Sequence, residues 1–351
     1  MLIQDRVPVE EIDTITGVGY DIEKKGENTI EYSIPISVNV FKPSGTKVNS
    51  FFKGKGQNLG EVIQKRQERM SKKFVQGHEN VVLVSENYAK YGIKTLIEDR
   101  FRNAEANDMA YLVVCKGKAE DYLKYKEKGY SNASEYIAGN IEAYADCSFF
   151  SSRYKLTDSY VRLGAEGRSI VLPYIEITQD GIEIMGVAIF KEDKMLKSLD
   201  MKNSKVLNLL RNDTVKGTIS LQKSPKVYID FDAKSGRRKV KCYRQRDKYS
   251  FEIDLTLTGT VINNEMYVDI MKDINEKKQL EKDMAESIKK ECDDFIKIMK
   301  NDYKVDCLEL GKVAAAKYGR KKNINWNEVV SNADIKVNVN VKADLQGKGD
   351  Y

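Results

Sequence analysis

The chain has 351 residues, 41% of them hydrophobic and 32% charged, which is typical of a folded protein with room for two or three domains. No apolar run approaches the roughly 18 residues of a membrane-spanning helix. The net charge of +6 is small for this length and far from that of a dedicated nucleic-acid binder, so charge alone indicates no partner. The five cysteines form no Cys-x-x-Cys pair, so they predict neither a zinc site nor a disulfide framework.

The N-terminal stretch ITGVGYDIEKKGENTIEYSIPISV contains a Gly-x-Gly pair, Gly17 and Gly19, that could begin a phosphate-binding loop. A dinucleotide fingerprint needs a third glycine three residues after the second, and that position is Ile22. The loop must also lead directly into a helix. Here a charged turn is followed by the alternating run TIEYSIPISV, which predicts a strand. We therefore predict two paired strands and no nucleotide site.

The next hundred residues alternate between helical and strand patterns. Residues 56–74 predict a helix, and two short apolar runs, 80–86 and 110–117, predict buried strands with helical segments between and after them. This alternation predicts an α/β layer with at least two neighbouring parallel strands. Residues 131–163 have no clear period and predict short helices and irregular connections.

The remainder of the chain is rich in strand patterns. Residues 169–200 predict strands and turns, and four antiparallel segments follow from Lys216. A helix of some 30 residues is then indicated by apolar side chains at three- and four-residue steps, and strict alternation from Ile335 to Leu345 predicts a half-buried strand on the same sheet. We expect a mixed α/β (α+β) protein whose C-terminal antiparallel sheet is packed by one long amphipathic helix. The expected domains are 1–178, 179–215 and 216–351.

None of the motifs in the chain matches a complete catalytic or metal-binding pattern. The single histidine, His78, has no partner fixed by spacing, and a structural role is expected for it. The segment DFDAKSGRRKVK (230–241) begins like a calcium loop but has lysine where the bidentate glutamate belongs, so it predicts a β-hairpin turn instead. We expect no catalytic residue, no metal and no cofactor, which favours binding or scaffolding over catalysis.

The segment KSGRRKVKCYRQRDK (234–248) concentrates positive charge. It is a candidate contact for an anionic surface, either lipid headgroups or nucleic acid. On a strand, Arg238 and Cys242 would share one face and Lys241 and Tyr243 the other, so a solvated sheet face is the simpler interpretation. Nucleic acid is not expected, because aromatic side chains are not interleaved for stacking. The candidate contact residues are Arg237, Arg238, Lys239, Lys241, Arg244 and Arg246.

Over nearly its whole length the chain resembles the C subunits of bacterial spore germinant receptors, the Ger(x)C family of spore germination lipoproteins. The order and spacing of the matching segments carry the resemblance, and the last segment, with Trp326 before an alternating strand, is the most characteristic. The segments are IDTITGVGYD (12–21), GHENVVLVSENYAKYGI (77–93), EDRFRNAEANDMAYLVVCKGKAEDYL (98–123), GRSIVLPYIEI (167–177), GVAIFKEDKMLKSLD (186–200), DCLELGK (306–312) and NWNEVVSNADIKVNVNVKADLQGKG (325–349).

The resemblance implies a non-enzymatic subunit that works with two membrane-embedded partners, the A and B subunits. In such receptors these proteins sense small nutrients and start the release of ions and dipicolinate from the dormant spore. The family fold implies three mixed α/β domains. The family offers no catalytic residues, so none is transferred to this chain.

The chain departs from the family pattern at its N-terminus. Family precursors carry a signal peptide and a cysteine that is diacylated, which holds the protein at the outer face of the spore inner membrane. No cysteine precedes Cys115 here, and MLIQDRVPVEE has no apolar signal core. We expect that the sequence begins just after the anchor, near Gln4, although an unanchored variant is the alternative. Two other functions remain open, a peripheral binder of anionic surfaces and an uncharacterised α/β enzyme.

Overall fold

The fold was analysed in a computed structural model, which describes residues 8, 11–26, 29–42, 44–267, 270, 273–320 and 324–344. The chain forms two compact units. Unit 1 comprises Met1–Ile141, Arg153–Gly164 and Ile170–Ser198, and unit 2 comprises Glu142–Ser152, Ala165–Ser169 and Leu199–Tyr351. The finer division into domains at 1–178, 179–215 and 216–351 stays a prediction.

Unit 1 is built on a nine-stranded mixed sheet with the order β3-β2-β1-β5-β6-β7-β8-β9, in which β4 also pairs with β1. Strands β1, β5, β6 and β7 run parallel, whereas β2, β3 and β8 are antiparallel to their neighbours. The strands are β1 (Ile12–Lys24), β2 (Ile30–Phe41), β3 (Lys47–Gly56), β4 (Lys73–Val75), β5 (Val81–Ser85), β6 (Tyr111–Cys115), β7 (Val171–Thr178), β8 (Gly181–Lys191) and β9 (Lys194–Leu199).

The two apolar runs of the sequence are β5 and β6, and every residue of both strands is buried. The predicted parallel α/β layer is therefore confirmed. The predicted helix over 56–74 is shorter, because it begins after the Asn58 cap and ends at Gln67, and Lys73–Val75 then pairs with β1. The first six helices are α1 (Leu59–Gln67), α2 (Glu86–Tyr91), α3 (Lys94–Arg102), α4 (Ala119–Leu123), α5 (Ala133–Cys147) and α6 (Leu156–Leu163).

Gly17 and Gly19 both lie within β1, as the sequence predicts. A Cβ atom at Gly17 would lie 2.1 Å from Ser134 Oγ. A Cβ atom at Gly19 would lie 2.8 Å from Pro35 Cγ and 2.9 Å from the Cβ atom of Ala119. Both glycines therefore allow side chains from neighbouring elements to approach the strand closely. The role of the Gly-x-Gly pair is to let neighbouring elements pack closely against β1.

We expect Gly19→Ala to destabilise the protein by about 1 to 3 kcal/mol, because the added methyl group overfills a packed interior. Gly139→Ala is the matched control, since Gly139 lies inside helix α5 and a Cβ atom there would meet nothing within 4 Å. That substitution should stabilise the protein by up to about 1 kcal/mol through helix propensity. Urea unfolding measures both changes. Equal effects of the two substitutions would contradict the packing role of Gly19.

Unit 2 contains a four-stranded sheet with the order β10-β11-β12-β13. The first three strands are antiparallel, but β13 is parallel to β12 because a long helical crossover separates them in the chain. The strands are β10 (Lys216–Ser224), β11 (Val227–Gln245), β12 (Lys248–Asn264) and β13 (Asp334–Asp344). The helices are α7 (Met201–Arg211), α8 (Ile274–Ile298), α9 (Leu310–Tyr318) and α10 (Trp326–Asn332), and a π-helical turn (Met299–Tyr303) follows α8.

The long helix α8 is the amphipathic helix that the sequence predicts. It buries a stripe of apolar side chains and is joined to β13 by a hydrogen bond from the Ala343 amide to Glu281 Oε1 (2.9 Å). The stripe consists of Leu280, Met284, Ile288, Cys292, Phe295 and Ile296. The mixed α/β fold with a C-terminal sheet packed by a long helix is thus confirmed. Among the described helices, none is long and apolar enough to cross a membrane.

The prediction of a hairpin turn within residues 230–241 is wrong. Strand β11 runs continuously through this segment, and the glycine instead marks a β-bulge between Ser235 and Arg237. A glycine inside a strand pattern fits a bulge as well as a turn, and pairing with the whole of β12 decides between them. The actual turn comes later, where Arg246 has a positive φ of 55°. Gln245 and Lys248 pair across it.

Candidate functional site

The basic segment lies on the β11–β12 hairpin of unit 2, and the structure separates its side chains by face. Arg238 is on the inner side, where its Nε donates to the Leu210 carbonyl and its Nη2 to the Leu308 carbonyl (3.0 Å). Burial lowers the pKa of Arg238. Lys239 and Lys241 project from the opposite, exposed face. The structure therefore does not bring Arg238 together with the exposed cations.

The exposed face of the hairpin also carries acidic side chains that pair with Lys241. Lys241 Nζ lies 3.0 Å from Asp254 Oδ2 and 3.4 Å from Glu252 Oε2, both on β12. The hydrogen bond to Asp254 is the largest cause of the raised pKa of Lys241. Asn338 on β13 donates to both carboxylates, at 2.7 and 2.8 Å. These paired polar side chains fit the predicted solvated sheet face.

The tip of the hairpin holds the remaining basic candidates. Arg244 donates to the Arg246 carbonyl (2.8 Å) and to Asp247 Oδ1 (3.4 Å), so its guanidinium closes the turn. Arg246 is exposed, whereas the side chain of Arg237 lies outside the described residues. Contact of these side chains with an anionic surface stays a prediction.

The carboxyl ends of the parallel strands in unit 1 form a cleft of about 880 Å³. Asp21 and Glu23 come from the end of β1, Ser85 from the end of β5, and Lys118 from the loop after β6. The strand order changes direction between β1 and β5, because β2 and β3 extend the sheet on one side and β5 to β7 on the other. Such a switch point is where open α/β sheets commonly bind ligands.

Asp21 lies at the buried base of this cleft. Its two carboxylate oxygens accept hydrogen bonds from the backbone amides of Ala119 (2.7 Å) and Glu120 (3.2 Å), which begin helix α4. Burial raises the pKa of Asp21 to about 6, although these hydrogen bonds act in the opposite direction. Nearby, Glu23 has its pKa lowered to about 2, chiefly by a hydrogen bond from Lys118.

The raised pKa of Asp21 predicts that protonation of this group stabilises the folded state. Its folded pKa exceeds the unfolded value of 3.8, so this stabilisation is present at low pH and is lost as pH rises through about 6. Relative to Asp21→Asn, the protein should lose about 2 kcal/mol of unfolding free energy between about pH 4.5 and 7.5. Urea unfolding of both proteins at the two pH values measures the difference. A stability difference between the two proteins that does not change with pH would contradict the raised pKa of Asp21.

The other sequence candidates for chemistry do not form a site. His78 is exposed. Within the described ranges, no group of three or more His, Cys, Asp or Glu side chains is arranged to hold a metal ion. Four cysteines, Cys115, Cys242, Cys292 and Cys307, are buried thiols, and Cys147 is exposed.

Unit 2 contains a buried cluster of polar side chains that the sequence did not predict. Arg211 Nη1 donates to Ser169 Oγ (2.9 Å), and its Nη2 donates to Glu309 Oε1 (2.8 Å). The carboxylate of Asp306 accepts the amides of Leu310 (3.0 Å) and Gly311 (2.7 Å), which begin helix α9. Burial raises the pKa of Asp306 to about 6. No local pattern identifies these groups, because they are up to 98 residues apart in the chain.

Trp326, the most characteristic residue of the sequence resemblance, is part of the same unit. Its indole Nε1 donates to Glu166 Oε1 (2.8 Å). Its Cβ and Cγ atoms lie close to Gly311, where an added Cβ atom would approach them to 2.7 and 2.8 Å. Trp326 thus joins the short segment 165–169 to the start of α9. Its role is structural.

Comparisons with known proteins match nearly the whole length of the chain. A family model described as "Spore germination protein N-terminal domain" matches residues 5–177. A second, described as "Spore germination B3/ GerAC like, C-terminal", matches residues 185–347. These matches confirm the family resemblance of the sequence.

Individual relatives agree with the family models. Spore germination protein GerQC of Bacillus cereus is 24% identical over 349 residues, which cover 97% of this chain and 93% of the relative. Spore germination protein YndF of Bacillus subtilis (strain 168) is 24% identical over 293 residues, covering 81% and 71%. The crystal structure of the GerBC protein has the same fold, with a TM-score of 0.56, 14% identity and coverage of 93% of this chain and 97% of that chain. The chain therefore belongs to the GerAC-like family of spore germination proteins.

Proposed function

We propose that this chain is the C subunit of a nutrient germinant receptor in bacterial spores, and that it acts with membrane-embedded A and B subunits to trigger germination. The observation that carries this proposal is the length of the similarity. The two family models together span residues 5–177 and 185–347, and GerQC aligns over 97% of the chain. The chain thus shares the entire architecture of a spore germination protein, and not one reused domain.

The proposed role is non-enzymatic. Two carboxylates, Asp21 and Asp306, have pKa values of about 6, which is the range expected of an acid or base catalyst. Each of them, however, uses both oxygens to accept backbone amides at the start of a helix. This arrangement explains their burial as helix capping. The support for a non-enzymatic role is therefore that the groups best suited to catalysis already have structural partners.

The proposed location is the outer face of the spore inner membrane. A diacylated cysteine on the N-terminal side of the chain would hold the protein there as a lipid-anchored peripheral subunit. Two acyl chains are sufficient for stable anchoring without a spanning helix. Under this proposal, the A and B subunits are the parts of the receptor that span the bilayer.

The test is affinity purification of the protein, expressed from its own gene with a C-terminal tag, from detergent-solubilised spore inner membrane. We expect two polytopic membrane proteins to co-purify in constant ratio. A strain carrying the untagged gene is the control. Recovery of the protein alone, or with nucleic acid, would overturn the proposal.

A further inference from the structure

The cleft at the carboxyl ends of β1, β5 and β6 has properties that capping and packing do not explain. Its volume is about 880 Å³, which is within the range of small-molecule sites. It lies at the point where the strand order of the sheet changes direction. Ile22 and the half-exposed ring of Tyr91 provide apolar walls.

Positive charge dominates the polar part of this cleft. Four lysines line it, namely Lys24, Lys90, Lys118 and Lys194. Lys90 pairs with Glu86, and Lys118 pairs with Glu23 at 2.8 Å. Lys24 and Lys194 make no ion pair with any residue in the part of the chain that the structure describes. Two ammonium groups are therefore available to a ligand.

The acidic groups of the cleft form no ion pair with these two lysines, because each is held by other partners. Both oxygens of Asp21 accept backbone amides. Glu23 is bound by Lys118 and by Lys25 (3.1 Å), with Lys55 at 3.9 Å. The excess positive charge is thus built into the site.

The turn that precedes Lys194, the first residue of β9, is held beside the cleft by specific contacts. The Ile93 amide donates to the Asp193 carbonyl (2.9 Å), and the Lys94 amide donates to Asp193 Oδ2 (3.3 Å). Gly92, with φ of 141°, lets Asp193 approach, since an added Cβ atom would lie 2.6 Å from Asp193 Oδ2. This contact fixes the backbone that carries Lys194 next to the end of α2.

We propose that this cleft binds a small organic dianion, with two acidic groups near Lys24 and Lys194 and an apolar body against Ile22 and Tyr91. A cleft lined by charge of one sign attracts ligands of the other sign. The proposal goes beyond the receptor role, because it assigns a ligand to this chain itself. Its failure would leave the receptor role intact.

Isothermal titration calorimetry of the chain tests the proposal, with phthalate as the dianionic probe, benzoate as the monoanion and benzamide as the neutral analogue. We expect saturable binding of phthalate, at least about tenfold tighter than benzoate, and no binding of benzamide. Added salt should weaken phthalate binding, because screening reduces the charge attraction. Absence of saturable phthalate binding up to about 10 mM would overturn the proposal.

Two double variants with the same loss of charge identify the site. Lys24→Gln/Lys194→Gln should weaken phthalate binding by at least about tenfold, which corresponds to about 1.4 kcal/mol. Lys126→Gln/Lys128→Gln, which changes two exposed lysines outside the cleft, should bind as the unmodified protein does. All four side chains are exposed, so equal melting temperatures should confirm folding. Equal losses in both variants would mean attraction by net charge and would overturn the proposal.

Discussion

Replacing Arg211 with methionine is expected to destabilise the protein by about 3 to 5 kcal/mol, because it leaves buried carboxylates without their cation. The side chain of Arg211 is 5% exposed, and that of its ion-pair partner Glu309 is 12% exposed. Arg211 also donates to the Cys307 and Ser169 carbonyls. Its loss therefore removes one ion pair and leaves several buried acceptors unpaired.

Chemical unfolding of two further variants separates the buried charge from ordinary surface effects. Lys202→Ala removes a lysine whose side chain is 75% exposed and should change the unfolding free energy by less than about 0.5 kcal/mol. Arg211→Met/Glu309→Met removes both charges and should be more stable than Arg211→Met alone, since replacing a buried pair by apolar groups avoids an unpaired charge. A double variant that is less stable than the single variant would contradict this account.

The pH dependence of the Arg211→Met variant gives an independent check. Arg211 lowers the pKa of Asp306, which burial holds at about 6. Removing the cation should raise that folded pKa further, so protonation at low pH relieves part of the defect. The loss of stability relative to the unmodified protein should therefore be smaller at about pH 5 than at about pH 8. A constant loss would show that Asp306 does not sense Arg211.

Replacing Gly167 with alanine is expected to destabilise the protein by at least about 3 kcal/mol, because the substitution strains the backbone and also creates a clash. Gly167 has φ of +67°, and an added Cβ atom would lie 2.2 Å from both Gly311 C and Lys312 N. These are backbone atoms, so no side-chain rotation can relieve the contact. The hydrogen bond from the Lys312 amide to the Gly167 carbonyl (2.9 Å) would be displaced.

Gly319→Ala is the matched control for this prediction. Gly319 also has a positive φ, +86°, but a Cβ atom there would meet nothing within 4 Å. Only backbone strain remains, with an expected cost of about 1 to 3 kcal/mol, because Gly319 combines its positive φ with a ψ of 148°, a region that residues with a side chain rarely adopt. Thermal unfolding should rank the unmodified protein above Gly319→Ala and Gly319→Ala above Gly167→Ala. The reverse order of the two variants would contradict the close approach of segment 165–169 to α9.

The periodicity of the sequence was sufficient to predict most elements of the fold. Alternation located the strands around Gly17 and from Ile335, and apolar runs located β5 and β6, because strand side chains repeat every two residues and buried strands are apolar throughout. Three- and four-residue steps located α8. The order and spacing of the matching segments along the chain also carried the family resemblance, which the family models confirm. These features depend on local patterns.

Contacts between distant residues decided what local patterns left open. Pairing with β12 made residues 230–241 one bulged strand, where the sequence alone predicted a turn. Arg238 and Lys241 have similar sequence surroundings, yet one is held by buried carbonyls and the other pairs with exposed acids. The cleft joins β1, β5 and Lys194, and Arg211 meets Glu309 across 98 positions. Burial and charge pairing depend on which segments meet in space, so only the tertiary structure assigns these residues their surroundings.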